Sequence, residues 1–214
     1  TISIMIITHH NKQFFKLQTG DTVIALNPIS KESKIKTSGF GADIALITTN
    51  HPDYNGSETV TYGNKEPFVI DGPGEYEIDG IMIRGFVSAG LDDKGILSKI
   101  NTLYNFEFDG MNIWFLGALG TGELPIEARA LMDNVDVLFI PIGGKSVIDA
   151  NAAQKITNII GPKIIIPMDY GTDQSAAQLA EFLKLAKSSV QPVDKLTIKN
   201  KDLSGKDREV IVIE

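Results

Sequence analysis

The chain has no cysteine among its 214 residues, so neither a disulfide framework nor a thiolate metal centre can be built from it. A cytoplasmic setting is the expectation that follows. Histidine is nearly as scarce: only His9, His10 and His51 occur, and the first two fall at the end of an expected strand, where solvent exposure and no role are anticipated. Basic residues are outnumbered, 20 lysines and arginines against 27 aspartates and glutamates, for a net charge of −7. That balance argues against capture of nucleic acid or of an anionic membrane, both of which need clustered cations. Long apolar runs are missing too. No window approaches the roughly 18 apolar residues of a membrane-spanning helix, and the opening TISIMIITHHNKQFF reads as a first strand, not a signal peptide. With no linker and no low-complexity segment, residues 1–214 are expected to form one domain, and 43% hydrophobic content supplies a sizeable core.

What is present divides into two halves. The first is strand-rich: Ile2 to Thr8, Gln13 to Thr19, Asp21 to Leu26, Ala42 to Thr48 and Phe68 to Ile70 are short β-branched and aromatic runs, with Lys31 to Lys36 as a loop or short helix between them. Pro73 to Glu77 reads first as a turn, and Glu75 within it has no assignable direction. Asp79-Gly80 and Asp109-Gly110 punctuate further hairpins, the second joining Thr102 to Phe108 with Met111 to Leu116. The second half alternates helical and buried-strand patterns. Helices are predicted over Glu123 to Leu131, Val147 to Ile160 and Ser175 to Ala186, and strands over Val135 to Ile140, Lys163 to Met168, Lys195 to Lys199 and Glu209 to Ile213. Gly143-Gly144 would permit close backbone approach of a ligand or of neighbouring chain.

The stretch ADIALITTNHPDYNG organises the rest. An apolar strand there runs into a polar corner, Asn50-His51-Pro52-Asp53, which cannot continue the strand because Pro52 lacks an amide hydrogen. An imidazole and a carboxylate are thereby held at a strand's end. The segments ITTNHPDYNG, PFVIDGPGEYEIDGIMIRG, INTLYNFEFDGMNIWFLGALG, VDVLFIPIGG and GPKIIIPMDYGT resemble, in order and spacing, the metallo-β-lactamase-fold hydrolases, and within them the bacterial and archaeal Zn-dependent hydrolases. The resemblance covers Ile4 to about Ala186. It implies an α/β fold, an αββα sandwich of two mixed sheets flanked by helices, with the active site at one edge where strand-end loops converge.

The resemblance also implies a site of two zinc ions about 3.5–4 Å apart sharing a hydroxide, and here the chain departs from its family. The signature Thr-His-x-His-x-Asp-His stands as Thr48-Thr49-Asn50-His51-Pro52-Asp53-Tyr54. Ala118 follows Leu116-Gly117 in place of the bridging aspartate, and Asp169 replaces a histidine in Pro167-Met168-Asp169-Tyr170. Ser88 to Leu91 lack another histidine, and Asn27-Pro28 replaces an Asp-Pro turn. Of the implied ligands His51, Asp53 and Asp169 remain. Two readings stay open. In one, the metal site has lost most ligands and the chain is a binding or interaction module without zinc hydrolase activity. Asp53 then caps its own loop through backbone amides, Asp169 caps a turn, and the partner is a small molecule, another protein or a second copy. In the other, His51, Asp53 and Asp169, with Tyr54, hold one divalent ion (Zn, Mn, Mg or Fe), and Asp53 serves hydrolysis of a phosphoester, lactone or amide.

Overall fold

The computed structural model describes residues 4–92, 94–170 and 176–214. Thirteen strands form two mixed sheets among these residues. The first sheet takes β1 (Met5–His9), β2 (Phe15–Thr19), β3 (Thr22–Leu26), β4 (Ile44–Leu46) and β5 (Phe68–Ile70), and β12 (Leu196–Ile198) pairs outside β1. The second runs β6 (Gly74–Ile78), β7 (Ile81–Leu91), β8 (Leu97–Phe108), β9 (Met111–Phe115), β10 (Val137–Pro141), β11 (Ile164–Met168) and β13 (Glu209–Val210), with β13 joining beside β11. Hairpin pairs are antiparallel, whereas β3–β4–β5 and β9–β10–β11–β13 are parallel.

The layering follows from side-chain alternation. Ile7, Phe15 and Leu17 on one sheet meet Phe106, Phe139 and Ile166 on the other in the central core, and each such side chain fully buried contributes about 1.5–3 kcal/mol. β10 and β11 are buried at every position, as strands covered on both faces must be. Their outer faces pack Leu138, Ile140 and Ile165 against Ala153 and Ile156 of α2 (Ala150–Ile160) and Phe182 of α3 (Ala176–Leu185). The outer face of the first sheet, with Phe14, Val23, Ala25 and Ala45, is covered by Ile29, Phe40 and Val60 from irregular segments. The two-sheet sandwich expected from the sequence is observed.

Several boundaries move for local reasons. The helix expected over Glu123 to Leu131 contracts to α1 (Ile126–Arg129) because Pro125 is extended, with ψ 140°, and a proline disfavours helical geometry in the residue before it. α2 starts at Ala150, not Val147, since Asp149 is extended and caps it, accepting the Ala152 amide at 2.8 Å. The strand expected between the Pro73-Gly74 and Asp79-Gly80 turns is β6, which begins already at Gly74 within the stretch read as a turn, and Glu75 is exposed, 3.3 Å from Arg84. Ser175, the expected start of the last helix, and Ile2, that of the first strand, lie outside the described residues. Asp79, Gly80, Asp109 and Gly110 all have positive φ, the conformation that tight hairpins demand.

Candidate functional site

At one edge of the sandwich the loops after β1, β3, β4, β9 and β11 converge. The turn after β1 is tight: Asn11 and Lys12 adopt φ of 103° and 50°, and it is closed by hydrogen bonds from the Phe14 amide to the Asn11 carbonyl and from the His10 amide to the Phe14 carbonyl. Asp169 follows β11 with φ 64°, and its amide donates to the Lys12 carbonyl at 3.0 Å. Two distant loops are thus tied backbone to backbone. The tie runs past Gly143, where a Cβ would lie 2.7 Å from the Asp169 carbonyl oxygen. Gly143 is therefore required for close approach of the protein's own chain.

The side chains close around one ammonium group. Lys12 Nζ lies 3.2 Å from Asp53 Oδ2 and 3.7 Å from Asp169 Oδ1. The other Asp53 oxygen accepts the Ser33 hydroxyl at 2.6 Å, and Asp169 Oδ2 accepts both the Tyr54 hydroxyl at 2.7 Å and the Gln13 amide at 2.9 Å. Burial alone would lower the Lys12 pKa, but Asp169 and Asp53 outweigh it and leave it above its ordinary value. Burial pushes Asp53 the opposite way, yet the hydrogen bond from Ser33 and the Lys12 charge bring it below the usual carboxylate range. Both groups are charged at neutral pH. Burial, and then the Asp169 charge, drive the Tyr54 phenol well above its usual value, so it stays a neutral donor.

Beneath this cluster runs a buried polar network. The Asn27 amide donates to Gln13 Oε1 at 2.8 Å and to Thr48 Oγ1 at 2.9 Å, while Asn27 Oδ1 accepts the Thr48 amide. Asn101 Oδ1 accepts the Ala118 amide at 2.7 Å, and its own amide donates to Ser88 and to the Leu116 carbonyl. Tyr54, Ala118 and Val147 form a small apolar cluster beside it. Above the cluster opens a cleft of about 220 Å³, whose lining includes Lys12, His51, Asp53, Tyr54, Lys99 and Lys145.

The donor set does not fit two metal ions. His51 and Asp53 are adjacent, with His51 Nδ1 accepting the Asp53 amide at 3.1 Å and lying 4.0 Å from Asp53 Oδ2, and both Asp53 and Asp169 reach Lys12. However, the carboxylates are engaged by an ammonium, and Tyr54 spends its hydroxyl hydrogen on Asp169. Ala118 offers a methyl group where a bridge would be needed. No group of three or more His, Cys, Asp or Glu among the described residues is arranged to hold a metal.

Four expectations need correction. Asp53 holds its loop through the Ser33 hydroxyl and Lys12, not through backbone amides. Asp169 has a buried carboxylate that serves Tyr54, Gln13 and Lys12 among the described residues, where a cap of the following turn was expected. His9 is not solvated: it stacks on Phe15 at 4.5 Å, with its ring nitrogens 3.0 Å from the Ile213 carbonyl oxygen and 3.1 Å from that of Lys12. His10 packs against the stacked pair Phe14 and Phe40, at 5.1 and 4.9 Å. Lys12, Gln13 and Ser33 were not foreseen, because lysine, glutamine and serine are not the residue types a metal-site search seeks. The one available signal was Asn27 in place of an aspartate.

Comparison with known proteins agrees with the fold and identifies the family. Residues 6–169 match the beta-lactamase superfamily domain. The chain is 43% identical over 194 residues to a metal-dependent hydrolase of Carboxydothermus hydrogenoformans, covering 76% of this chain and 80% of that one. It is 26% identical over 193 residues to a metal-dependent hydrolase of Methanoregula boonei, covering 79% and 84%. A crystal structure of a metallo-β-lactamase superfamily protein from Thermotoga maritima superposes with a TM-score of 0.75 at 27% identity, covering 98% of each chain. The chain belongs to the metallo-β-lactamase superfamily, in the family of its metal-dependent hydrolases.

Proposed function

We propose that this member of a metal-dependent hydrolase family works without the family's dinuclear centre, as a single-domain, cytoplasmic binding module whose small-molecule ligand enters the 220 Å³ cleft. The observation that carries this reading is the use made of Asp169. Its Oδ2 accepts two hydrogen bonds, from Tyr54 and Gln13, and its Oδ1 faces the Lys12 ammonium at 3.7 Å, so a positive charge of the protein stands on the side from which a metal would approach. Catalytic zinc sites keep at least three protein ligands, and Thr49, Tyr54 and Ala118 do not restore them. The reading with a mononuclear ion on His51, Asp53 and Asp169 is weaker for the same reason, because both carboxylates are committed to Lys12. Relatives named metal-dependent hydrolases supply the contrast that a test can use. Elemental analysis of protein purified without chelators is expected to find far less than one transition metal per chain. Close to two zinc or iron ions per chain would overturn the proposal.

A further inference from the structure

We infer that the Lys12 ammonium is the resident cation of this site, a covalently tethered replacement for the metal, and that removing its charge turns Asp53 and Asp169 into a site for one divalent ion. This rests on the reading of the site as free of the dinuclear centre. It goes further by naming what stands in the metal's place and what is latent beneath it.

Three observations carry it. First, the ammonium is not a surface partner of the carboxylates. The side chains of Lys12, Asp53 and Asp169 are 20%, 18% and 8% exposed, and exposed pairs hold no such shared geometry. Secondly, the position is enforced by the backbone: the left-handed turn at Lys12 and the hydrogen bond from the Asp169 amide to the Lys12 carbonyl fix the root of the side chain beside its partner. Thirdly, the other side chains hydrogen-bonded to the carboxylates among the described residues are all donors. Ser33 donates to Asp53, and Tyr54 and Gln13 donate to Asp169, so no acceptor competes with the carboxylates for the ammonium.

The chemistry of the latent site follows from its atoms. Two carboxylates with hydroxyl neighbours and water make a hard, oxygen-rich set that suits Mn²⁺ or Mg²⁺ better than zinc. An ammonium is long and singly charged where a divalent ion would draw the oxygens in, so binding to the emptied site needs Asp53 to shift towards Asp169. Asp53 sits on a loop, which makes that movement feasible.

The test uses Lys12→Met, which keeps the apolar stem and deletes the charge, with Mn²⁺ as the probe. Thermal melts of the wild-type chain are expected to be unchanged by millimolar Mn²⁺. The variant is expected to melt several degrees lower, to regain the loss with Mn²⁺, and to lose it again with EDTA. Electron paramagnetic resonance should count one bound Mn²⁺ per variant chain, and adding Asp169→Asn should abolish it. A variant with wild-type stability, or a wild-type chain that gains as much from Mn²⁺ as the variant, would overturn the inference. If the variant does not fold in metal-free buffer, refolding with Mn²⁺ must rescue it, and failure to do so counts against it equally. The metal content of the wild-type chain as purified judges the proposed function separately. Low content with an unresponsive variant removes this inference alone.

Discussion

At the scale of single residues, Asn27 couples the candidate site to the buried polar network beneath it. Its amide donates to Gln13 Oε1 and Thr48 Oγ1, and that donation orients Gln13 so that its own amide reaches Asp169 at 2.9 Å. Asn27→Asp, which would re-create the family's Asp-Pro turn, removes both donated bonds. Thr48 can turn its hydroxyl towards the new carboxylate, but Gln13 cannot serve two carboxylates without leaving one of its partners. A buried, poorly matched charge costs about 3–5 kcal/mol, so urea denaturation should show a loss of that order. A loss under about 1 kcal/mol, the worth of a single hydrogen bond, would mean the network is not coupled. Sequence reading pointed to His51 and Asp53 as an imidazole and a carboxylate at a strand's end, and to Asp169 through the family resemblance of its segment. It passed over Lys12 and Gln13 because their meaning depends on a turn with positive φ at Asn11 and Lys12, which neither residue type announces.

At the scale of elements, α2 shows which signals survive translation from sequence to structure. The apolar spacing through Ala153 and Ile156 identified the helix, and Gly161 at φ 63° ends it, as a left-handed C-terminal glycine does. Its start was misplaced by three residues because Val147 and Ile148 are apolar and buried yet lie before the cap. Asp149 is the true boundary, and Gln178 on α3 accepts the Ala150 amide at 2.9 Å, so the cap also docks one helix on the other. Asp149→Ala should destabilise the chain by about 1 kcal/mol, whereas Asp149→Asn, which keeps an acceptor, should cost less. Equal losses in chemical denaturation of the two variants would deny the cap its role. β10 and β11 were legible as strands because they are buried and apolar at every position. The four-residue α1 was overextended because periodicity ran through Pro125, whose extended backbone overrides it. A strand between the Pro73-Gly74 and Asp79-Gly80 turns is expected from the sequence and found as β6, but its start reads as a turn because proline and glycine dominate it.

At the scale of the whole molecule, the ionisable groups combine into a pH profile whose sign can be worked out. His10 is held down to about 4 from its ordinary 6.5, chiefly by burial and then by His9 and Lys16, and His9 is lowered in the same direction by burial. The unfolded chain therefore takes up protons at these positions before the folded chain does. Stability is full above about 6.5 and declines as pH falls towards 4. Asp53 and Glu58, whose folded values lie below the ordinary carboxylate values, extend the decline below 4.5. On the alkaline side, burial raises Tyr104 and Tyr170 and Asp169 and Asp53 raise Lys12, so stability is kept up to about 10 and lost beyond it. The profile should thus be a plateau between about 7 and 10 with an acid limb led by the histidines. Trp114, the one tryptophan and fully buried in the second sheet, reports global unfolding by fluorescence at each pH. The acid limb is expected to shrink in His10→Phe, because phenylalanine can pack beside Phe14 and Phe40 without a group to protonate. An unchanged limb in that variant, or a wild-type melting temperature at pH 4.5 equal to that at pH 7.5, would show that His10 does not set it. Persistence of part of the limb is expected from His9, which burial holds below its ordinary value even though the two carbonyl oxygens facing its nitrogens oppose that shift.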